Sequence, residues 1–228
     1  MENKILEVAP WVIYPIVKFE NGKIIPLGTG FLISKDGVIV TPRHVIGNNH
    51  KNLGIIFSDV VARNGTIHNY QDLYKTTDIN GVHIQLIEQD PFRDIAILKI
   101  INKSNYLSFL PNISSFDNYR VGEKVGILGF PHSVQGRIVL TYQETIIGAK
   151  VLTKTNGIET KHAIINTQAR PGQSGSMIFS LRTQEIIGML IGAYSPQNSN
   201  GINLGGINPH ELHQTTHCVS AEYIKDMI

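Results

Sequence analysis

The segment QARPGQSGS, residues 168–176, runs directly into the apolar residues Met177-Ile178-Phe179. It contains a Gly-x-Ser-Gly-Ser turn centred on Ser174. Glycines at 172 and 175 let the backbone fold closely, which exposes the serine hydroxyl and aims neighbouring N–H groups at one point. Ser174 is therefore a candidate nucleophile on a tight turn between two strands. Because Gly/Ser turns are common in β proteins, this interpretation requires a base and an orienting acid elsewhere in the chain.

Two earlier segments offer these groups. Residues 28–34 and 38–41 are predicted to form a hairpin, and its second strand leads into His44. A histidine just past a strand end is well placed to face a cleft. Further on, Asp94 stands at the head of the apolar run 95–100. The order His, Asp, Ser along the chain is that of the chymotrypsin-type triad.

The sequence resembles the trypsin-like serine peptidases, most closely their cysteine-poor branch, the HtrA-like protease domains, in a form without a PDZ domain. The likeness spans residues 11–228 and is carried by four segments: GTGFLISKDGVIVTPRHVI (28–46), DIAILKI (94–100), PGQSGSMIF (171–179) and the weaker VGEKVGILGFP (121–131). It implies an all-β fold of two packed six-stranded antiparallel barrels with a short C-terminal helix. A single peptidase domain would cover residues 1–228, with the first barrel in 1–105 and the second in 106–228.

The resemblance implies a role for each candidate residue. Ser174 would attack the scissile carbonyl, His44 would act first as base and then as acid, and Asp94 would hold the imidazole in the useful tautomer. The backbone N–H groups of Gly172 and Ser174 would form the oxyanion hole. Asp90 is a rival acid, but its Gln-Asp-Pro context is typical of a turn. A plain turn serine and a structural histidine are the alternative interpretation, since the chain holds nine histidines.

The sequence departs from the family pattern in three places. Arg43 precedes the histidine where Ala or Asn is usual, and Ser176-Met177 stand where Gly with Pro or Ala is usual. We expect both changes to alter the rim of the site. Gln173 stands where zymogen-activated members carry an acid that pairs with a newly cut N-terminus. Because a neutral amide cannot form that ion pair, the site would be ordered constitutively or by a partner or oligomer contact.

The family pattern also predicts where a substrate side chain would bind. The floor of the first specificity pocket would lie near Gln168, and its wall would be strand 189–193, with Leu190, Ile191 and Gly192. This strand carries no charge, and burying a charged side chain without a counter-charge is costly. We therefore expect cleavage after small or medium uncharged residues.

A second cluster of chemistry-bearing residues lies near the C-terminus. His210, His213 and His217 recur at i, i+3 and i+7 beside Cys218, a spacing that would place zinc ligands on one helical face. The first pair is one residue short of the i, i+4 zinc-protease motif, which favours exposed loop histidines instead. Cys218 lies in an apolar run and is expected to be a buried thiol. We expect neither a metal nor another cofactor.

Composition narrows the class of protein. Hydrophobic residues make up 42% and charged residues 17% of the 228 residues, which is typical of a globular domain. A net charge of +2 argues against nucleic acid or a membrane surface as partner. A single cysteine allows no internal disulfide, and no apolar stretch has the length of a signal peptide or a membrane span. These features predict a cytoplasmic location.

Short apolar runs separated by turn signals predict twelve strands and few helices. The strands are expected at 11–19, 25–34, 37–41, 53–59, 82–88, 95–100, 124–129, 137–147, 162–166, 177–180, 186–194 and 216–220. The polar region 101–120 would connect the two barrels. Residues 221–228 would form the closing helix, with Ser220 as its cap.

The predicted function is that of a serine endopeptidase that hydrolyses protein substrates through an acyl-enzyme intermediate. Its partners would be a protein or peptide substrate and an activating or regulatory protein. The alternative is a catalytically silent module of the same fold that serves in binding or as a scaffold. A metal-dependent hydrolase is a third hypothesis, which insensitivity to a strong chelator would dismiss.

Overall fold

The computed structural model describes residues 3–62, 65–73, 81–101, 109–194 and 215–228. Two closed six-stranded antiparallel barrels make up most of this part of the chain. The first, in the order β1-β2-β3-β6-β5-β4, consists of β1 (Ile13–Glu20), β2 (Lys23–Ser34), β3 (Val38–Pro42), β4 (Leu53–Ile56), β5 (Gly81–Asp90) and β6 (Ile95–Ile100). The second, in the order β10-β11-β12-β9-β8-β7, consists of β7 (Lys124–Gly129), β8 (Thr141–Thr155), β9 (Ile158–Ile165), β10 (Met177–Ser180), β11 (Ile186–Tyr194) and β12 (Thr215–Ser220).

Helices in the described residues are short. They are α1 (Lys4–Val12), α2 (Arg43–Ile46), α3 (Asp59–Ala62) and α4 (Glu222–Lys225), with single 3₁₀ turns at Phe116–Asn118 and Ser133–Gln135. None of them has the length and apolar character that crossing a membrane requires.

The prediction of two six-stranded barrels is confirmed, and each predicted strand has a counterpart. The first strand begins later than predicted because α1 runs to Val12 and includes Pro10, a residue that argues against a helix in sequence. Burial of Ile5, Ala9 and Val12 on one face stabilises this helix nevertheless. The predicted boundary between the barrels at residue 105 lies outside the described residues.

Among the other predicted elements whose bounds differ, two have a clear local reason. The strand predicted at 137–147 begins at Thr141 and continues to Thr155, where Asn156 and Gly157 turn the chain with positive φ angles of 49° and 86°. This Asn-Gly pair is a hairpin signal that the sequence prediction did not use. At the C-terminus, Ala221 rather than Ser220 stands at the start of α4, because the Ser220 hydroxyl accepts the Phe116 N–H at 3.2 Å.

The hydrophobic core joins the barrels. One cluster fills the first barrel and continues through Phe130, Met177, Met189 and Val219 of the second, while a smaller cluster lies inside the second barrel. Burial of apolar surface between the barrels therefore fixes how they pack. The end of β3 pairs with the start of β6 and lies against the turn that precedes β10. The candidate residues lie at this point.

Candidate active site

His44 and Asp94 form a closely bonded pair at the rim of the first barrel. β3 and β6 pair with Pro42 opposite Ile95, so the residues just beyond that pair are neighbours. The Nδ1 atom of His44 lies 2.5 Å from Oδ2 of Asp94, and the His44 backbone N–H donates to Oδ1 at 2.8 Å. Asp94 adopts a left-handed conformation with φ of 57°, and its own carbonyl accepts the Arg43 N–H at 3.0 Å. With Nδ1 held by the carboxylate, Nε2 of the half-exposed ring is left for proton exchange.

Asp90, the rival acid, is the last residue of β5, where the turn to β6 begins. Its carboxylate accepts the backbone N–H groups of Phe92 and Arg93 and the Arg93 guanidinium, the last at 2.7 Å. Burial favours a higher pKa for Asp90, but these hydrogen bonds and the Arg93 charge outweigh it and lower the pKa. Asp90 thus holds the turn that presents Asp94.

The turn around Ser174 is closed by its own backbone. The Gln173 N–H donates to the Arg170 carbonyl at 3.0 Å, and the Ser176 N–H donates to the Gln173 carbonyl at 2.8 Å. Gly172 and Gly175 have φ angles of 91° and 92°, which side chains resist. A Cβ atom on Gly175 would also collide with the Thr29 carbonyl oxygen. A Cβ atom on Gly172 would likewise lie 2.7 Å from the Phe130 carbonyl oxygen. Both glycines are therefore required by conformation and by space.

Thr29 on β2 ties this turn to the first barrel. Its N–H donates to the Ser174 carbonyl at 2.9 Å, and its buried hydroxyl donates to the Gly172 carbonyl at 2.8 Å. The same hydroxyl accepts the Phe130 N–H at 3.1 Å, and the Thr29 carbonyl accepts the Thr41 hydroxyl at 2.7 Å. One threonine therefore fixes both carbonyls that flank Gln173 along the turn.

The serine turn lies against the residues that flank His44. A Cβ atom built on Gly28 would be 3.0 Å from the Ser174 carbonyl oxygen and 3.0 Å from the Val45 side chain. A Cβ atom on Gly175 would be 2.9 Å from Cδ of Pro42. Within the described ranges, the N–H groups of Gly172 and Ser174 donate to no protein acceptor. Two backbone donors are thus available beside a partly exposed serine.

The side chain of Gln173 points into the protein, where it is 2% exposed. Its Oε1 accepts the Arg170 N–H at 2.7 Å, and its Nε2 donates to Oε1 of Gln143 on β8 at 2.6 Å. Sequence reasoning identified Gln173 but did not find Gln143 or Thr29. Thr29 lies in the GTGF segment, residues 28–31. In contrast, nothing in the sequence around Gln143 indicates its contact with Gln173.

The changes at 176 and 177 do not alter the rim as predicted. Both side chains are fully buried: Met177 lies in the core cluster that spans the interface, and Ser176 packs against Gly129. A Cβ atom on Gly129 would meet the Ser176 hydroxyl. The pair Gly129 and Ser176 is therefore a packing feature beneath the turn.

The predicted pocket residues differ in burial and in whether they face Ser174. A Cβ atom built on Gly192 would be 4.0 Å from the Ser174 hydroxyl oxygen, so this stretch of β11 faces the serine. Ile191 is partly buried, and Gln168 is half-buried. The Leu190 side chain is fully buried inside the second barrel, while its carbonyl accepts the Gly175 N–H at 2.7 Å. Leu190 offers only its backbone toward the cleft.

His217 and His162 form a pair on neighbouring strands, with ring centroids 6.3 Å apart. Nδ1 of His162 is buried and has no hydrogen-bond partner among the described residues. Burial, followed by the nearby His217, lowers the pKa of His162 to about 4, although the Asp94 charge opposes the shift. Burial also lowers the pKa of His217.

The zinc hypothesis involved residues that lie partly outside the described ranges, namely His210 and His213. In the ranges that are described, no three His, Cys, Asp or Glu side chains come together in a way that could hold a metal ion. Cys218 is a buried free thiol, as expected, and burial raises its pKa.

Replacing Thr29 by Val should destabilise the protein by about 2–4 kcal/mol, because the Gly172 carbonyl and the Phe130 N–H would each lose a buried partner. Urea unfolding measures this free energy. Thr29→Ser keeps the hydroxyl and should cost only about 1 kcal/mol for the lost methyl group. Equal losses for the two variants would show that the hydroxyl is unimportant.

Lowering the pH should reduce the free energy of unfolding, because His162 takes up a proton more readily in the unfolded chain. Because its folded pKa of about 4 lies below the unfolded value near 6.5, the unfolded chain binds the proton first as the pH falls. The stability linked to this group is complete above pH 6.5 and declines as the pH falls toward 4. In His162→Gln, unfolding free energies over this range should decline less than in the wild type. Exposed His83→Gln is the matched control, and an identical slope in all three proteins would contradict this assignment.

Comparison with known proteins extends these observations. A model of the family described as trypsin-like peptidase domain matches residues 28–189. The probable periplasmic serine endoprotease DegP-like of Rickettsia prowazekii is 30% identical over 178 residues, which are 78% of this chain and 30% of that protein. The protein of the same name from Pseudomonas fulva is 29% identical over 167 residues, 72% of this chain and 28% of that one. The chain therefore spans less than a third of the length of either relative.

Solved structures share the fold. The protease domain of MamO from Magnetospirillum magneticum superposes with a TM-score of 0.67 at 13% identity, covering 97% of both chains. The HtrA-type protease AlgW with decapeptide gives a TM-score of 0.68 at 16% identity, covering 99% of this chain and 65% of AlgW. Identities this low establish the architecture, and they agree with the two barrels described above.

The prediction of a cytoplasmic location is wrong, because both relatives are named as periplasmic proteins. The inference failed because a single cysteine excludes an internal disulfide but not an oxidising compartment. A domain of this size can be stabilised by its core alone.

The resemblance on which the sequence prediction depended is confirmed. The matched region, residues 28–189, covers most of the chain and includes His44, Asp94 and Ser174. The relatives named DegP-like share 29% and 30% sequence identity with this chain. The chain belongs to the trypsin-like peptidase family.

Proposed function

We propose that this chain is a serine endopeptidase in which Ser174, His44 and Asp94 act as the catalytic triad. The bonded His44–Asp94 pair, next to a serine turn with two unused N–H groups, is the observation that carries the proposal. Membership of the peptidase family supports it independently.

The proposed order of events is that of the chymotrypsin-type mechanism. His44 Nε2 removes the proton as the Ser174 hydroxyl oxygen attacks the scissile carbonyl, and Asp94 stabilises the imidazolium that forms. The N–H groups of Gly172 and Ser174 donate to the oxygen that becomes negative in the tetrahedral intermediate. His44 then gives its proton to the leaving amine, and the acyl-enzyme remains. Water, activated by the same histidine, attacks the acyl carbonyl and releases Ser174.

The substrate would be a protein or peptide, as the peptide in the AlgW structure supports. The names of the relatives support a periplasmic location for this chain. Control by a regulatory protein partner is part of the proposal, and labelling with and without cell extract would detect it.

Substitution of the nucleophile tests the proposal. A fluorophosphonate probe should label the wild-type chain and fail to label Ser174→Ala, whose peptide hydrolysis should fall on the order of 10⁴-fold or more. Ser176→Ala is the matched control: its buried hydroxyl has no partner within the described residues, so labelling should persist. A folded wild-type chain that neither labels nor hydrolyses peptides would favour the silent binding module. Activity that a strong chelator abolishes would favour a metal-dependent hydrolase.

We also propose that Gln168, Ile191, Gly192 and the Leu190 backbone bind the side chain that precedes the cut. The uncharged wall of β11 should disfavour charged side chains, because nothing there offsets their desolvation. A peptide library, analysed by mass spectrometry, should therefore show cleavage after small or medium uncharged residues. Dominant cleavage after Arg or Glu would contradict this assignment.

A further inference from the structure

The oxyanion turn is held from inside the protein by an uncharged side chain. Gln173 lies between the two proposed oxyanion donors, Gly172 and Ser174, and is almost completely buried. A buried amide must be hydrogen-bonded, or its burial costs free energy. The partners of Gln173 therefore determine whether the turn keeps its shape.

The hydrogen-bond directions in this cluster follow from chemistry. The Arg170 N–H can only donate, so the atom of Gln173 that faces it at 2.7 Å is the carbonyl oxygen. The opposite atom of Gln173 is then its NH₂ group, which faces Gln143 at 2.6 Å. The Gln143 atom in that contact must accept and is its carbonyl oxygen. Gln143 thus completes the bonding of Gln173.

Gln143 lies near the start of β8, and two sets of contacts hold this part of the strand in place. It pairs with Ile127 of β7 in the sheet register. Three residues earlier, the amide of Gln71 makes two hydrogen bonds of 2.8 Å with the backbone of Leu140, like a short strand pair. These bonds join the start of β8 to the loop 65–73 of the first barrel. Gln143 therefore presents its amide from a fixed position.

We propose that Gln143 is a positioning residue for the oxyanion hole, acting through Gln173. The inference rests on the proposed function. The Gln143–Gln173 contact takes the place of the ion pair that an N-terminal cut would create, and it holds the side chain of the residue that lies between the two proposed donors. Without it, the buried Gln173 amide would lose a hydrogen-bond partner, and the turn would be free to rotate the Gly172 and Ser174 N–H groups away from the reacting oxygen.

The test compares peptide hydrolysis by the full chain and by variants at position 143. Gln143→Met keeps the length of the side chain but lacks the amide, so kcat should fall about 100-fold, as when an oxyanion donor is lost, with KM within about 3-fold. Gln143→Glu keeps an acceptor oxygen at the same reach and should restore kcat to within about 5-fold of the wild type. Gln85→Met, the same substitution at an exposed position on β5, should behave as the wild type.

Thermal melts separate positioning from folding, and all rates are measured well below the lowest Tm. Gln143→Ala supplies a second deletion if the Met side chain does not fit. A folded deletion variant with wild-type kcat would overturn the inference and leave the proposed function standing. Loss of kcat in Gln143→Glu equal to that in Gln143→Met would overturn it as well. A wild-type chain that neither hydrolyses peptides nor reacts with the probe would overturn the proposed function, and this inference with it.

Discussion

The buried hydroxyl of Thr29 is the contact on which the site depends. It donates to the Gly172 carbonyl and accepts the Phe130 N–H, while the Thr29 backbone bonds to Ser174 and to the Thr41 hydroxyl. These groups are buried where the two barrels meet, and each would cost free energy if left unpaired. In the observed packing of the two barrels, all of these groups are hydrogen-bonded. That arrangement places the serine turn against the residues that flank His44.

The two halves of the site are constructed differently. The His44–Asp94 pair belongs to one barrel and follows from the register of β3 and β6, supported by the Asp90 turn. The serine turn belongs to the other barrel and depends on contacts from outside its own strand, namely Thr29 on one side and Gln143 on the other. The conformation of the turn around Ser174 therefore depends on contacts at the interface between the barrels and on a contact from the start of β8.

Much of the fold and of the candidate site could be predicted from the sequence, because strands and tight turns depend on the local pattern of residues. The alternation of apolar runs and turn residues predicted the strands, and the order of His44, Asp94 and Ser174 indicated the candidate site. The helix α1 was missed because Pro10 argues against a helix, whereas burial of one face overrides that preference. Gln143 was missed because a contact between residues 30 positions apart leaves no local pattern. The prediction of a cytoplasmic location was wrong for a different reason. The number of cysteines limits which disulfides can form, but it does not determine the compartment.

The most direct measurement is the structure of the chain after reaction with a peptide aldehyde or boronic acid. We predict a covalent bond to the Ser174 hydroxyl oxygen, with the adduct oxygen about 2.7–3.1 Å from the N–H groups of both Gly172 and Ser174. His44 should then lie within hydrogen-bond reach of the adduct while it remains bonded to Asp94. An adduct whose oxygen faces solvent, or a folded chain that forms no adduct at Ser174, would contradict the proposed roles of Ser174 and its turn.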